Sequence, residues 1–510
     1  MTPAAPETAR TGTGDAPACD FDVLIVGAGI SGVSAAYHLQ QECPQRSYAI
    51  LERRQAIGGT WDLFRYPGIR SDSDMFTLGY SFRPWDSNSM ISDGTAIREY
   101  VADTAREFRI APHIRYGHSV TEARWSSDAA LWEVSVAVEG VSGEQRLRCR
   151  FLAFCSGYYD YEQGFDPQWP GREGFRGSIV HPQHWPADLD YAGRKVVIIG
   201  SGATAVTLLP ELAKQAAHVT MLQRSPSYVL ALPSRDAIGA VLRRWLPRGA
   251  AHGLIRWKNI LAARWLYRIA RRRPEAVRRF LLKSARELLG PGFDVDKHLN
   301  PRYQPWDQRL CIAPDADFFK AIRSGKADIV TDAIEAFTPN GIRLATGAEL
   351  AADIIVTATG LKVQLLGGAR LVVDGQPVSL AQTLSYKGLM YSGVPNLVSV
   401  FGYTNASWTL KAELIARYMC RVLNHMAAHG LDVCVPVSVE TPAAPQLAID
   451  LTSGYIQRAA AVLPRQADHK PWRMNQDYLQ DLRALLFSRL DDGALRFRRR
   501  GRAQPASVPA

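Results

Sequence analysis

One turn, used twice, constrains this chain more than any other feature. The segment DVLIVGAGISGVSAA runs from Asp22 to Ala36, and KVVIIGSGATAVTLL runs from Lys195 to Leu209. Each opens with an apolar, β-branched run that reads as a strand buried on both faces, then passes through glycines into a helix-forming stretch. Gly27 and Gly200 permit a tight exit from the strand. Gly29 and Gly202 carry no side chain, so a pyrophosphate can approach the backbone. Gly32, with Ala205 as its counterpart, lets the helix lie close to the sheet. Free N–H groups and the positive end of the helix dipole then face the phosphates. A single such turn also fits a plain hairpin in an apolar core. Two of them, 173 residues apart (Gly27 to Gly200), predict an α/β protein with two Rossmann-like dinucleotide-binding domains.

The strand that follows each turn ends in a different charge. The first, Ser47 to Glu52, closes on a carboxylate 20 residues beyond Gly32. Such a carboxylate accepts hydrogen bonds from ribose hydroxyls and repels a ribose phosphate, which suits FAD or NAD. The second, His218 to Arg224, closes on a guanidinium followed by Ser225. A guanidinium neutralises a ribose phosphate and binds it bidentately, which points to NADP(H). One flavin and one nicotinamide are therefore expected in one chain. Two further apolar runs, Phe151 to Gly157 and Asp353 to Gly360, end in small residues that let the chain pass close to a cofactor or a domain crossover.

Composition excludes several alternatives. At 510 residues, 47% hydrophobic and 21% charged, the chain has ample material for a large core. Seven cysteines form no CxxC pair, which argues against a zinc ribbon and against a disulfide reductase. No metal centre is expected. The longest uncharged apolar stretch, Val23 to Tyr37, is too short and too glycine-rich to span a bilayer, and residues 1–18 lack the apolar segment of a signal peptide. A cytoplasmic protein is expected. The net charge of +11 is local: residues 241–286 hold fourteen Lys/Arg and one acid, a net +13 that leaves −2 for the remainder. Nothing in that balance requires a nucleic-acid partner.

Between the two halves, Phe175-Arg-Gly177-Ser-Ile-Val-His181-Pro-Gln-His184-Trp185-Pro186 has the pattern FxGxxxHxxxW followed by proline. This resembles the fingerprint of type I Baeyer–Villiger monooxygenases. Gly58-Gly59-Thr60-Trp61, Arg65 to Asp72, Ser73 to Tyr80, Trp306 to Leu310 and Lys470 to Arg473 extend the resemblance, most closely to the ethionamide-activating subgroup. It covers about Phe21 to Arg483. It implies NADPH reduction of FAD, capture of O2 as a flavin C4a-peroxide held by Arg309, and attack on a ketone carbonyl to give an ester or lactone. Sulfide or thioamide S-oxidation is implied as a side activity. By resemblance, Arg309 is the positive partner of the oxygen intermediate and Asp72 orients it. Phe175, Gly177, His181 and Trp185 take a hinge role between cofactor domains. The expected cofactor contacts are Gly27, Gly29, Ser31, Gly32, Glu52, Gly59, Thr60, Trp61, Asp72 and Val120, with Gly200, Ser201, Gly202, Ala203, Thr204, Arg224 and Ser225 for the nicotinamide. Two departures stand out. Gln308 replaces a lysine common before the arginine, which predicts weaker discrimination against NADH. Asp62-Leu63-Phe64 replaces aromatics common after Gly-Thr-Trp, which predicts an altered flavin-side wall.

The expected organisation is a tail at 1–19, an FAD domain split into 20–161 and 386–483, an NADP domain at 170–235 and 305–385, a basic helical insert at 236–304, and a tail at 484–510. Arg496 to Arg502 is expected to be disordered. Asn405 or Ser407 is expected to cap the helix that follows. The insert interleaves tryptophans and leucines with arginines. It fits a helical subdomain with a solvated basic face, a peripheral membrane surface, or a nucleic-acid face, in that order. A flavin-containing monooxygenase that oxidises amines or sulfides is the alternative enzyme, and a flavoprotein sensor the non-enzymatic one. Oligomeric state stays open.

Overall fold

The computed structural model describes residues 19–438, 446–449 and 451–501. The tail assigned to 1–19 falls outside these residues apart from Cys19. Two sheets organise the chain, each built around one of the two glycine turns. In the first, strand Phe21–Val26 pairs in parallel with Tyr48–Leu51 on one side and with Glu144–Phe154 on the other. Val23 to Val26 are buried, as a continuous β-branched run covered on both faces must be. The long strand Glu144–Phe154 serves two neighbours. Its first half closes an antiparallel meander with Leu131–Val138 and His118–Ser126, and its second half pairs in parallel with Leu397–Ser399.

The second sheet has five strands in the order Ala327–Thr331, His218–Gln223, Lys195–Ile199, Ile354–Thr357 and Ser178–Val180, all parallel. Helix Ala203–Leu212 packs its apolar face onto this sheet through Val206, Leu209 and Leu212. The α/β class with two Rossmann-like halves is the observed architecture.

Three differences concern where segments lie. Arg370–Val373 and Gln376–Pro377 join the edge of the first sheet, next to His118–Ser126, although they precede residue 386. Leu485, Leu490 and Leu495 belong to the first core, so that core runs past residue 483. The expectation of disorder from Arg496 is corrected: Leu495–Arg498 is a strand, antiparallel to Val433–Pro436. In its Leu-Arg-Phe-Arg alternation Leu495 is buried and Phe497 packs on the core, Arg496 is exposed, and Arg498 is half-buried and donates to Ser127 Oγ at 3.0 Å. Arg502 lies outside the described residues.

The insert forms helices Ala237–Trp245, Arg248–Arg272, Pro274–Leu289 and Val295–His298. Proline at the first position of the third of these removes an N–H that has no helical partner anyway. The insert is tied to both halves. Leu282, Ala285 and Leu289 pack in the core of the second half with Phe318 and Phe319. Toward the first half, buried Arg256 donates to the carbonyls of Phe76 (2.9 Å) and Gly79 (2.7 Å) and to Glu413 Oε2 (2.8 Å).

Candidate functional site

The two turns have the backbone that the sequence demands. Gly27 sits at φ +104° and Gly200 at φ +137°, a region closed to most side chains. A Cβ on Gly27 would stand 2.7 Å from the Cys155 carbonyl oxygen, and one on Gly200 2.3 Å from that of Ala358. Each turn therefore leans on the small-residue end of its crossover strand. A Cβ on Gly32 would stand 1.9 Å from the Gly27 carbonyl oxygen, whereas Ala205 fits its methyl into the second core. Neither helix N-terminus carries a side-chain cap, so the first N–H groups of Ile30–Glu42 and Ala203–Leu212 are free for an anion. A Cβ on Gly202 would meet nothing within 4 Å, which leaves room at that helix end for a phosphate group. These cradles fit two dinucleotides.

Both cradles open into one cavity of about 1550 Å³. Its wall brings together Gly27, Gly29, Ser31, Glu52, Gly59, Thr60, Trp61, Asp72 and Val120 from the first half. From the second it brings Gly200, Ser201, Gly202, Ala203, Thr204, Arg224 and Ser225. Arg309 and Gln308 line it too. Gly32 is not on the wall; it lies beneath the turn.

The two ribose-side residues are held differently. Glu52 is 4% exposed. Its Oε2 accepts from Ala28 N (2.7 Å) and its Oε1 from Arg54 N (2.9 Å). Burial raises its carboxyl above the usual range, and those two N–H donors oppose the rise. Arg224 is exposed and has no hydrogen-bond or ion-pair partner among the described residues. Beside it, Ser201 donates to the Ser225 carbonyl (2.9 Å) and Ser227 donates to Ser201 Oγ (3.0 Å). Lys297 and Arg302 line the same cavity and add positive charge. Sequence reasoning missed both, because they come from the end of the insert and reach the cavity only through the fold.

Arg309 Nε lies 3.6 Å from Asp72 Oδ2, with the two side chains 39% and 27% exposed. At that separation the pair is electrostatic rather than a direct hydrogen bond. Cys311, two residues on, also lines the cavity; burial pushes its thiol up to about 12, so it stays protonated and unreactive. A second cavity of about 920 Å³ adjoins the first, and Asp72, Ser73, Arg309 and Ala406 line both. Its other walls include Leu230, Leu232, Ile260, Leu266, Leu310 and Ile312. An apolar chamber thus meets the cofactor cavity at the Asp72–Arg309 pair.

An aromatic wall lines the first-half side of the cofactor cavity. Tyr158 stacks on Trp408 at 5.4 Å and 19°, and Trp408 Nε1 donates to Ser31 Oγ at 2.8 Å. Tyr159 O–H donates to Thr60 Oγ1 at 2.5 Å. Trp408 begins helix Trp408–Ala428. The capping expectation is corrected here. Ser407 occupies the cap position but makes no capping bond, because its Oγ pairs with Thr77 Oγ1 at 2.5 Å. Asn405 instead donates to the Gln476 carbonyl at 2.8 Å. The helix N-terminus is left with free N–H groups. The altered Asp62 does not reach either cavity: it is 3% exposed and pairs with Arg54 at 2.7 Å and with Arg65. Phe64 is the member of that trio on the wall.

Phe175, Gly177, His181 and Trp185 line neither cavity. Phe175 packs with Trp169 and Phe337 under the second sheet. A Cβ on Gly177 would stand 2.1 Å from the Asp353 carbonyl oxygen. His181 Nδ1 accepts from Gln183 N at 3.2 Å, and Gln183 donates to the Asp160 carbonyl at 2.8 Å. Burial holds the His181 imidazole below its usual pKa, hence neutral. Trp185 packs at the margin of the second core. Close by, the two crossovers touch: Phe165 N donates to the Gly360 carbonyl at 3.0 Å and Asp160 N to that of Lys362 at 2.8 Å.

Comparison with known proteins places this geometry. The flavin-binding monooxygenase-like family model matches residues 21–238. The FAD-containing monooxygenase EthA of Mycobacterium tuberculosis is 52% identical over 481 residues, spanning 94% of this chain and 98% of that protein. The probable FAD-binding monooxygenase AlmA of Acinetobacter baylyi is 48% identical over 479 residues, spanning 94% and 96%. Among solved structures, OTEMO in complex with FAD and NADP superposes with a TM-score of 0.68 at 22% identity, covering 82% of this chain and 88% of that one. An open form of cyclohexanone monooxygenase gives 0.69 at 20% identity, covering 82% and 90%. These two share the fold.

Proposed function

The chain belongs to the family of flavin-binding monooxygenases that includes EthA and AlmA, and from that premise we propose that its reaction is Baeyer–Villiger oxidation of a ketone to an ester or lactone. It is a flavin-dependent monooxygenase whose cofactors are FAD and NADP(H). When bound, FAD reduced by NADPH supplies the activation of O2.

What supports the finer reading is the Asp72–Arg309 pair at the junction of the cofactor cavity and the apolar chamber. Glu52, with Gly27 and Gly29, would hold the FAD ribose and pyrophosphate. Arg224 and Ser201, with Gly200 and Gly202, would hold the NADP ribose phosphate and pyrophosphate. Arg309 offers a planar guanidinium with several donors, which would stabilise the negative charge that a ketone oxygen gains in the chamber. Asp72 restrains the guanidinium without giving or taking a proton. Tyr158 and Trp408 present stacked rings to the cofactor cavity and would add apolar surface beside the reacting groups. The hinge role of Phe175, Gly177, His181 and Trp185 rests on their place beside the two touching crossovers.

Product analysis tests the reading. Purified protein with FAD, NADPH, isotopically labelled O2 and a panel of linear, cyclic and aryl ketones is expected to yield an ester carrying one labelled oxygen. Sulfoxide from added sulfides, with no ester from any ketone, would move the assignment to heteroatom oxidation.

A further inference from the structure

The long insert helix Arg248–Arg272 is apolar on two sides, burying Ala251, Ile255, Ile260 and Ala270 while leaving a second apolar stripe exposed. Its buried side also holds the polar residues His252, Arg256 and Asn259. Arg256 pairs with Glu413, and Asn259 donates to Asp74 Oδ1 at 2.9 Å. On the opposite face, Leu254, Trp257, Leu261 and Trp265 follow at intervals of three, four and four residues, which align as one stripe on a helix. They are 52%, 43%, 49% and 66% exposed. Trp245 and Phe280, on the flanking helices, add 75% and 61%. Eight of the eleven exposed large apolar side chains among the described residues fall between Ile238 and Phe280. Such concentration is not how a soluble surface distributes its apolar residues.

Charge selects the occupant. Arg272, Arg273 and Arg279 are exposed and have no acidic partner among the described residues. Arg244 lies over the Trp245 ring at 5.8 Å. Tryptophan beside arginine suits the boundary between headgroups and acyl chains, where rings and aliphatic stems enter and guanidinium groups stay with phosphates. Leu254 and Leu261 offer no ring on which a nucleic-acid base can stack, so a bilayer fits better than a single strand. No helix among the described residues is long and apolar enough to cross a membrane. We propose that this outward stripe docks the protein peripherally on an anionic lipid surface. The rim of the chamber is on the same helix: Arg264 and Arg268 line the chamber and are held by Asp477 at 2.8 and 3.1 Å. Docking would set that rim against the bilayer, whatever reaction the chamber serves.

Vesicle co-sedimentation of the FAD-loaded protein tests this without reference to turnover. Binding to mixed phosphatidylcholine/phosphatidylglycerol vesicles is expected, with much less on pure phosphatidylcholine and a decline as salt rises. The double variant Leu261→Gln/Trp265→Gln should lose at least about ten-fold in vesicle affinity while keeping wild-type FAD content, since both side chains point outward. The triple variant Arg272→Gln/Arg273→Gln/Arg279→Gln should lose the preference for phosphatidylglycerol. Three results would overturn the proposal: no sedimentation with either vesicle, equal binding to both by the wild type, or a dimer in sedimentation velocity that the double variant dissolves.

Discussion

The two dinucleotide halves start from nearly the same turn and finish with opposite instruments. The first buries its selector: Glu52 is 4% exposed and held by two backbone N–H groups. The second leaves its selector in solvent: Arg224 has no partner among the described residues. A buried, hydrogen-bonded carboxylate is ordered before any ligand arrives. An exposed arginine is ordered only by the phosphate it meets, and salt weakens it. The same contrast appears one layer below. The first half tolerates nothing larger than hydrogen at Gly32, while the second accommodates Ala205. One half is thus a rigid seat and the other a looser, exchangeable one, which suits a resident flavin and a nicotinamide that comes and goes.

The sharpest way to break this contrast is Gly32→Ala, since its methyl would enter the Gly27 carbonyl at 1.9 Å. It is expected to destabilise the first half by more than about 3 kcal/mol and to abolish retained FAD. Ala205→Gly, the mirror change, should cost only about 1 kcal/mol in thermal unfolding. Comparable losses from both would end the claim that the halves differ in tightness.

Arg309→Ala is next in size. It is expected to lower ester formation by roughly 10²–10³-fold while NADPH still reduces the flavin, so that rapid-reaction absorbance and product yield separate. Parallel loss of flavin reduction would assign Arg309 to nicotinamide binding instead.

Acid tests the element that ties the halves together. His252 sits in the insert with both ring nitrogens lacking a hydrogen-bond partner, and burial lowers its pKa from 6.5 to about 4, assisted by Arg256 and Arg243 and opposed by Asp86. The unfolded chain then binds the proton more readily than the folded one. Stability is unaffected above the unfolded value and falls as pH drops from about 6.5 to about 4, by on the order of 2–3 kcal/mol. Denaturant titrations of His252→Leu across that window should show this part of the slope removed.

Arg224→Ala is the mildest. NADPH KM should rise about ten-fold and NADH KM stay unchanged, with the wild-type preference eroding at high salt. Lys297 and Arg302 limit the loss because they share the cavity. An equal rise for both nucleotides would show that Arg224 does not read the ribose phosphate.

Much was legible in the sequence where cause and effect are neighbours. Positive φ at Gly27 and Gly200, the buried β-branched strands and the charge that ends each second strand all follow from residues within one βαβ unit. The C-terminal strand was legible too, in the alternation of Leu495 to Arg498, but a run of arginines reads as a solvated tail until Val433–Pro436 is there to pair with it. Ser407 had the right type and place for a cap, and failed because Thr77 claims its hydroxyl from another part of the chain.

By itself, the sequence determined two glycine turns, their opposite ribose-side charges and a strong resemblance to flavin monooxygenases. The resemblance implied that Asp72 acts on Arg309, 237 positions away; tertiary structure set the 3.6 Å between them and placed them where two cavities meet. It also decided that Tyr158 stacks on Trp408, that Lys297 and Arg302 reach the nicotinamide side, and that the apolar stripe of the insert faces outward. The physical reason is range. Backbone sterics and helix or strand periodicity act over a few residues, so a local pattern specifies them. Which distant side chains meet depends on how two twisted sheets and an inserted helix layer stack, and in that insert the inward side of the helix carries the buried Arg256–Glu413 pair together with Ile255 and Ile260.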